Sequence, residues 1–366
     1  MAKAKSKVLI VGTGTIGEPL VNLFLKTREE IGIGKVFFHK KRPLGKDAAR
    51  IKRMVKRGGI LVVDDGKTAE FEKKGYAPEE EFSQAANEAD VIIDCTPKGN
   101  ELKETYYQAI FESRGPKIKG FIAQGSEKGF GKPYVYTIND RALIPGEDKF
   151  IQVLSCNTHN FLVIPYSIAI KYDGIESIEC IDQFICRRAS DLSEDKGILG
   201  VEADKYSEEE HGNFGSHQAQ DGARLLETFI PKEKLPRMHS QVIKLPTQYM
   251  HIPMFRLELK NPITLDEVKR RLKANPLVAF TEYESTNRIF GIARDESDIL
   301  GRILNQTVVV EQSLNVAYGN VVYGTCFTPQ DGNALLSSVA ATLWLLDPKT
   351  YKEKMKVFDK YLFKMI

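Results

Sequence analysis

Residues 7–17 read KVLIVGTGTIG: an apolar run, then Gly12-x-Gly14-x-x-Gly17, then the start of an amphipathic stretch. Strand, glycine turn and helix in that order suit a dinucleotide. The first glycine permits the tight turn, the second lets backbone approach a pyrophosphate, and the third lets helix and strand pack closely. The N–H groups at the helix start then face the anion.

Outward from this motif, strand and helix signals alternate. Strands are expected at Val8–Val11, Lys35–His39, Ile60–Val63, Val91–Cys95, Ile118–Gln124 and Ile151–Cys156. Helical patterns lie around Glu18–Lys26, Lys46–Lys56, Phe82–Glu88 and Leu102–Phe111. This repetition predicts parallel strands with crossover helices, a doubly wound α/β sheet. After Cys156 the texture changes. A helix is expected at Phe161–Tyr172, followed by strand-like segments at Ser177–Arg187, Val242–Leu245, Met250–Leu259, Leu277–Glu282, Arg288–Ala293 and Thr307–Phe327. They point to a mixed-sheet α+β domain, with one helix at Leu265–Lys273 and a long polar loop with short helical pieces across Ala189–Gly222. The tail, Gly332–Leu345 and Lys349–Phe363, returns to helix. The expected organisation is a dinucleotide-binding domain at 1–155, completed by 331–366, and a catalytic domain at 156–330.

The chain has 366 residues, 42% hydrophobic and 28% charged, with net charge +3. That length suggests two domains of roughly 100–200 residues. The charge is too small to imply a nucleic-acid partner, and no apolar run reaches the roughly 20 residues of a membrane span. Five cysteines without CxxC or Cys/His spacing argue against a disulfide framework or a metal site and fit a reducing cytoplasm.

Ligands of doubly wound sheets sit beyond the carboxyl ends of the strands. At the second strand end stands His39-Lys40-Lys41-Arg42-Pro43, cationic and without a carboxylate. That charge favours the 2′-phosphate of NADP over NAD. Thr96 and Gly99, after Asp94-Cys95, and the turn Gln124-Gly125-Ser126-Glu127-Lys128 are further candidate contacts, with a plain surface turn as the alternative at each. The sharpest candidate is Cys156, where a strand ends and a helix begins. A helix N-terminus favours thiolate, and its N–H groups can hold an oxyanion. Cys95, Cys180, Cys186 and Cys326 lie within apolar strand patterns and are assigned to the core. Among the histidines, His251 and the sequence neighbour His159 are rival general bases for the thiol.

The glycine motif, HKKRP, DCTP.G, QG.EK, SCNT and PT..MH occur here in the order seen in archaeal-type (type II) phosphorylating glyceraldehyde-3-phosphate dehydrogenases, and the chain resembles that family from Val8 to about Ala341. The resemblance implies Cys156 as nucleophile and His251 as catalytic base. It implies Gly12, Gly14, Thr15, Ile16, Gly17, Lys40, Lys41, Thr96, Gly125 and Asn333, with Gln124, as contacts to NADP or NAD. Asn157, Thr158, Arg187 and Arg188 would serve the substrate phosphate or inorganic phosphate. A phosphorylated aldehyde, reversible thioester chemistry and a homotetramer follow from the same resemblance. The chain departs from the family in two places. His159-Asn160 and Val163 stand where the family continues SCNTTG and then places an arginine, and Pro253 replaces the second histidine of MH.H. The competing readings are a related aspartate-semialdehyde or N-acetylglutamyl-phosphate reductase, and a dinucleotide-binding protein without catalysis.

Overall fold

The computed structural model describes residues 5–125, 127–189, 198–247, 249–330 and 332–366. Ser126, Gln248 and part of the polar loop expected at Ala189–Gly222 lie outside them. The chain forms two compact units. One comprises Met1–Lys132, Leu143–Val153 and Ser337–Phe358; the other comprises Pro133–Ala142, Leu154–Leu336 and Asp359–Ile366.

The first unit is built on β1 (Ser6–Val11), β2 (Ile33–Lys40), β3 (Ile60–Val63), β4 (Glu80–Glu81), β5 (Val91–Asp94), β6 (Gly120–Gln124) and, after the short β7 (Lys132–Tyr134), β8 (Phe150–Val153). Their order is β4-β3-β2-β1-β5-β6-β8, and each of these pairings is parallel. Central strands covered on both faces must be apolar throughout. Accordingly Val8, Leu9 and Ile10 are all fully buried, and Val8 pairs with Val36 on one side and Val91 on the other. The doubly wound sheet expected from the sequence is therefore present. The helix after the glycine turn runs Gly17–Ile31 and stops at Gly32, which takes the left-handed conformation that glycine accommodates without strain.

The second unit carries β9 (Ile178–Arg188), β10 (Glu202–Ala203), β11 (Arg237–Leu245), β12 (Ile252–Leu259), β13 (Val278–Thr281), β14 (Thr307–Val310), β15 (Asn315–Ala317) and β16 (Val321–Phe327). The order is β10-β11-β9-β12-β16-β14-β13, with β15 on β16. Pairs β11–β9 and β13–β14 are parallel and the others antiparallel, so the sheet is mixed, as expected. The buried helix residues Phe161, Leu162, Ala219, Val268 and Leu272 share one core with strand residues such as Ile181, Leu257 and Val322.

Three expectations change. Arg288–Ala293 is not a strand; it lies in the helix Thr286–Glu296. Ser285 accepts a hydrogen bond from Asn287 N at the helix start, and Ile289 and Ala293, four apart, are the buried face. A short apolar run looks alike in either state, and the cap decides it. Thr307–Phe327 is three strands, broken first by a helical turn at Glu311–Ser313 and then at Tyr318 and Gly319, both with positive φ. The helix expected at Phe161 begins five residues earlier, at Cys156.

Candidate active site

The helix Cys156–Pro165 is capped by Ser155, whose Oγ accepts from Thr158 N. Asn157 to Pro165 are all buried, so Cys156 is the one residue of this helix in partial contact with solvent. Ser155 has extended backbone, so Cys156 is the first residue of the helix and stands where its N–H groups are free of intrahelical partners. Thr158 is fully buried with its hydroxyl on Ser155 Oγ at 2.9 Å, so it serves the cap. Asn157 is 3% exposed, and its Oδ1 has no hydrogen-bond partner among the described residues.

His251 and Cys156 meet one turn of chain. Thr328 N donates to His251 O at 3.0 Å, and Asn333, five residues further on, donates from Nδ2 to Cys156 O at 2.9 Å. Asn333 also donates to Gln306 O at 3.1 Å, is fully buried, and leaves Oδ1 without a partner among the described residues. Buried polar atoms left open in this way mark places where a ligand's own donors fit.

The histidine is buried, and its Nδ1 accepts the backbone N–H of Arg188 at 3.0 Å. Burial, helped by the charges of Arg188 and Arg187, holds the imidazole well below its usual pKa, against a hydrogen bond to Gln330. A neutral ring whose Nδ1 is an acceptor carries its proton on Nε2. In this state His251 presents Nε2–H as a hydrogen-bond donor. His159 is excluded as a rival. It is fully buried, its Nδ1–H donates to Ser155 O at 2.9 Å, and burial pushes its pKa down to about 4.

Arg187 and Arg188 are consecutive on β9, and successive strand residues turn to opposite faces, so they do not form one clamp. The charge of Arg187 is felt by His217. Arg188, 4% exposed, lines a cavity with Tyr249, Phe290, Arg302 and Gln330. Arg302 was not foreseen, and its Nε is buried without a partner among the described residues. Val163, at the position where the family carries arginine, is fully buried in the hydrocarbon core. Pro253 is a buried residue of β12. Cys180 and Cys326 are buried as expected, whereas Cys95 and Cys186 are only partly so. Cys186 shares the exposed side of β9 with Phe184, and Cys95 follows β5 beside the glycine turn.

In the first unit, Gly12 has φ +85°, and a Cβ on Gly17 would lie 1.9 Å from Gly12 O. Around Gly14 nothing lies within 4 Å of where a Cβ would be. The turn is thus closed on its inner side and open where a pyrophosphate would approach. No side chain caps the helix at Ile16, and the methyl of Thr96 packs over Gly12. Gln124, at the end of β6, accepts from Ser338 Oγ at 3.0 Å while its buried Nε2 has no partner among the described residues. Gly125 has φ +71° and its carbonyl accepts from Gln152. An open cradle, an uncapped 15-residue helix and a spare amide donor fit a dinucleotide. At the end of β2, Lys41 is exposed, but Lys40 is half-buried and bonded to Asp47 Oδ2 at 2.5 Å. Sequence reading placed no carboxylate here; the turn at 42–47 folds one back.

A parallel sheet with this glycine turn in one unit, and a capped cysteine and a buried histidine in the other, define a nicotinamide dinucleotide-linked oxidoreductase of the Rossmann class. More particularly, the chain is similar over most of its length to archaeal glyceraldehyde-3-phosphate dehydrogenases. Glyceraldehyde-3-phosphate dehydrogenase 2 of Methanosarcina acetivorans is 29% identical over 300 residues, covering 80% of this chain and 79% of its own. The glyceraldehyde-3-phosphate dehydrogenase of Hyperthermus butylicus is 27% identical over 80% of this chain and 78% of its own. That of Archaeoglobus fulgidus is 25% identical over 98% of both chains. No family model matches the chain. The resemblance read from the six motifs is borne out by these relatives.

Proposed function

We propose that this enzyme oxidises glyceraldehyde 3-phosphate reversibly to 1,3-bisphosphoglycerate, with NAD or NADP and inorganic phosphate, through a thioester on Cys156. The observation that carries the reading is the pair of hydrogen bonds from Thr328 N to His251 O and from Asn333 Nδ2 to Cys156 O.

Cys156, at the start of its helix, attacks as thiolate: its sulfur bonds to the aldehyde carbon and the carbonyl oxygen becomes an alkoxide. The first-turn N–H groups and Nε2–H of His251 are the donors that stabilise that charge. An alkoxide formed from thiolate needs no base to lose hydride, which agrees with a histidine kept neutral and donating. The bound oxidised nicotinamide supplies the hydride acceptor. Loss of hydride leaves the Cys156 thioester. A phosphate oxygen then bonds to the acyl carbon, the C–S bond breaks, and thiolate returns with the acyl phosphate released. Asn333 fixes the carbonyl of Cys156, and its open Oδ1 is an acceptor for the coenzyme. Arg188 and Arg302 are the two guanidinium groups on one concave surface, a pairing that suits a phosphate. The homotetramer and a cytoplasmic location belong to the same proposal.

Steady-state assays with glyceraldehyde 3-phosphate, with each coenzyme, with and without phosphate, test the reading. Continuous reduction of coenzyme is expected only with phosphate; without it, reduction stops after one equivalent per site. Absence of a phosphate-dependent turnover would overturn the assignment.

A further inference from the structure

The end of β2 holds a chain of charges not evident in the sequence. Lys40 Nζ lies 2.5 Å from Asp47 Oδ2, Arg50 Nη2 lies 2.7 Å from Asp47 Oδ1, and Arg50 Nη1 lies 3.0 Å from Glu18 Oε2. Glu18 is the second residue of the helix that follows the glycine turn, so the chain of charges joins that turn to β2. Asp47 is buried and is fixed by backbone as well as by charge. Its N–H donates to Leu44 O, Leu44 N donates to Arg42 O, and Tyr76 Oη donates to Leu44 O. Lys40 and Arg50 hold its carboxyl below the usual carboxylate range, against burial, so it is ionised at neutral pH.

In doubly wound sheets the adenosine ribose lies beyond the carboxyl end of β2. A ribose 2′-hydroxyl is a donor and wants a carboxylate. A 2′-phosphate wants cations and is repelled by a carboxylate. This end of β2 carries both, coupled through one side chain. We propose that Asp47 is the residue that sets coenzyme preference: it accepts from the ribose hydroxyl of NAD, and NADP must displace it from Lys40 and Arg50. The inference rests on the dinucleotide reading above and goes beyond it in naming the determinant. It predicts an enzyme that accepts both coenzymes, with the balance set by the competition between Asp47 and the phosphate for the same two cations.

The test is binding of NADPH and NADH, followed by the fluorescence of the reduced nicotinamide, so that no turnover is needed. Asp47→Asn keeps the shape and removes the charge. The NADPH-to-NADH affinity ratio is expected to rise about tenfold or more, the scale of one charge-assisted hydrogen bond. Lys40→Met is expected to weaken NADPH by a similar factor with little effect on NADH, and to cancel most of the gain when combined with Asp47→Asn. An unchanged ratio in Asp47→Asn, with the fold intact by circular dichroism, overturns the proposal. So does a Lys40→Met protein that binds NADPH normally. If the unaltered protein binds neither coenzyme, the dinucleotide reading fails and this inference with it. If it binds both but does not oxidise the aldehyde, only the proposed reaction fails, and the ratio still decides the role of Asp47.

Discussion

Taking the protein from pH 8 to 4.5 should remove about 2–3 kcal/mol of stability through His159 alone. The ring is fully buried, and its Nδ1–H is bonded to Ser155 O. Burial depresses its pKa to about 4, from about 6.5 for a free imidazole. Between those values the unfolded chain binds a proton that the native protein does not, so acid favours unfolding. Above pH 6.5 both states hold a neutral ring and nothing is lost. Below it the loss grows by about 1.4 kcal/mol per unit and levels off near 3 kcal/mol as the folded pKa is passed. The assay is urea unfolding of the wild type and His159→Asn at half-unit steps of pH. Asparagine can keep the donor to Ser155 O but removes the titration and leaves a small cavity. The variant should be about 1–3 kcal/mol less stable at pH 8. The gap should close, or reverse, by pH 4.5. Subtracting the two curves cancels the carboxylates and the other histidines. A gap that stays constant from pH 8 to 4.5 would refute the argument, because it would mean that His159 binds protons equally in both states.

Cys156→Ser should abolish coenzyme reduction while NADH and NADPH still bind by fluorescence titration; substantial turnover in this variant would place the nucleophile elsewhere. His251→Asn should slow aldehyde oxidation about a hundredfold or more, on the scale of one lost transition-state donor. His251→Gln, which can still donate, should recover part of that, whereas a general base would not be restored by an amide. Arg302→Met should raise KM for glyceraldehyde 3-phosphate at least tenfold, roughly one charge-assisted hydrogen bond, and leave unphosphorylated glyceraldehyde nearly unaffected. Gly17→Ala forces a methyl to 1.9 Å from Gly12 O, so dinucleotide binding should be lost and thermal stability should fall.

What the sequence revealed was local. Gly12 and Gly17 declare a turn because their need for bare backbone is settled within six residues. Cys156 was legible because the end of an apolar strand, a serine cap and a helix are consecutive. Helix Leu265–Lys273 was found with its bounds because Thr264 caps it and its apolar face has helical spacing. Arg288–Ala293 was misread because Ile289, Phe290 and Ile292 satisfy both periodicities over so short a run. Asp47 was missed because the distance from Lys40 depends on how the turn at 42–47 folds, not on spacing. Arg302 carries no motif, and only tertiary packing places it beside Arg188. The tautomer of His251 was invisible for a similar reason: it is set by the amide N–H of Arg188, 63 residues away in the chain.

Asn333 holds the carbonyls of Cys156 and Gln306 at once. A chain emerging from the ribosome therefore exposes its sulfur long before the amide that clamps it has been made, since 177 residues separate the two. Until residue 333 has been made, the cysteine sits in a unit that lacks this clamp. A nascent chain arrested before residue 333 keeps the proposed nucleophile but lacks the amide that holds its carbonyl.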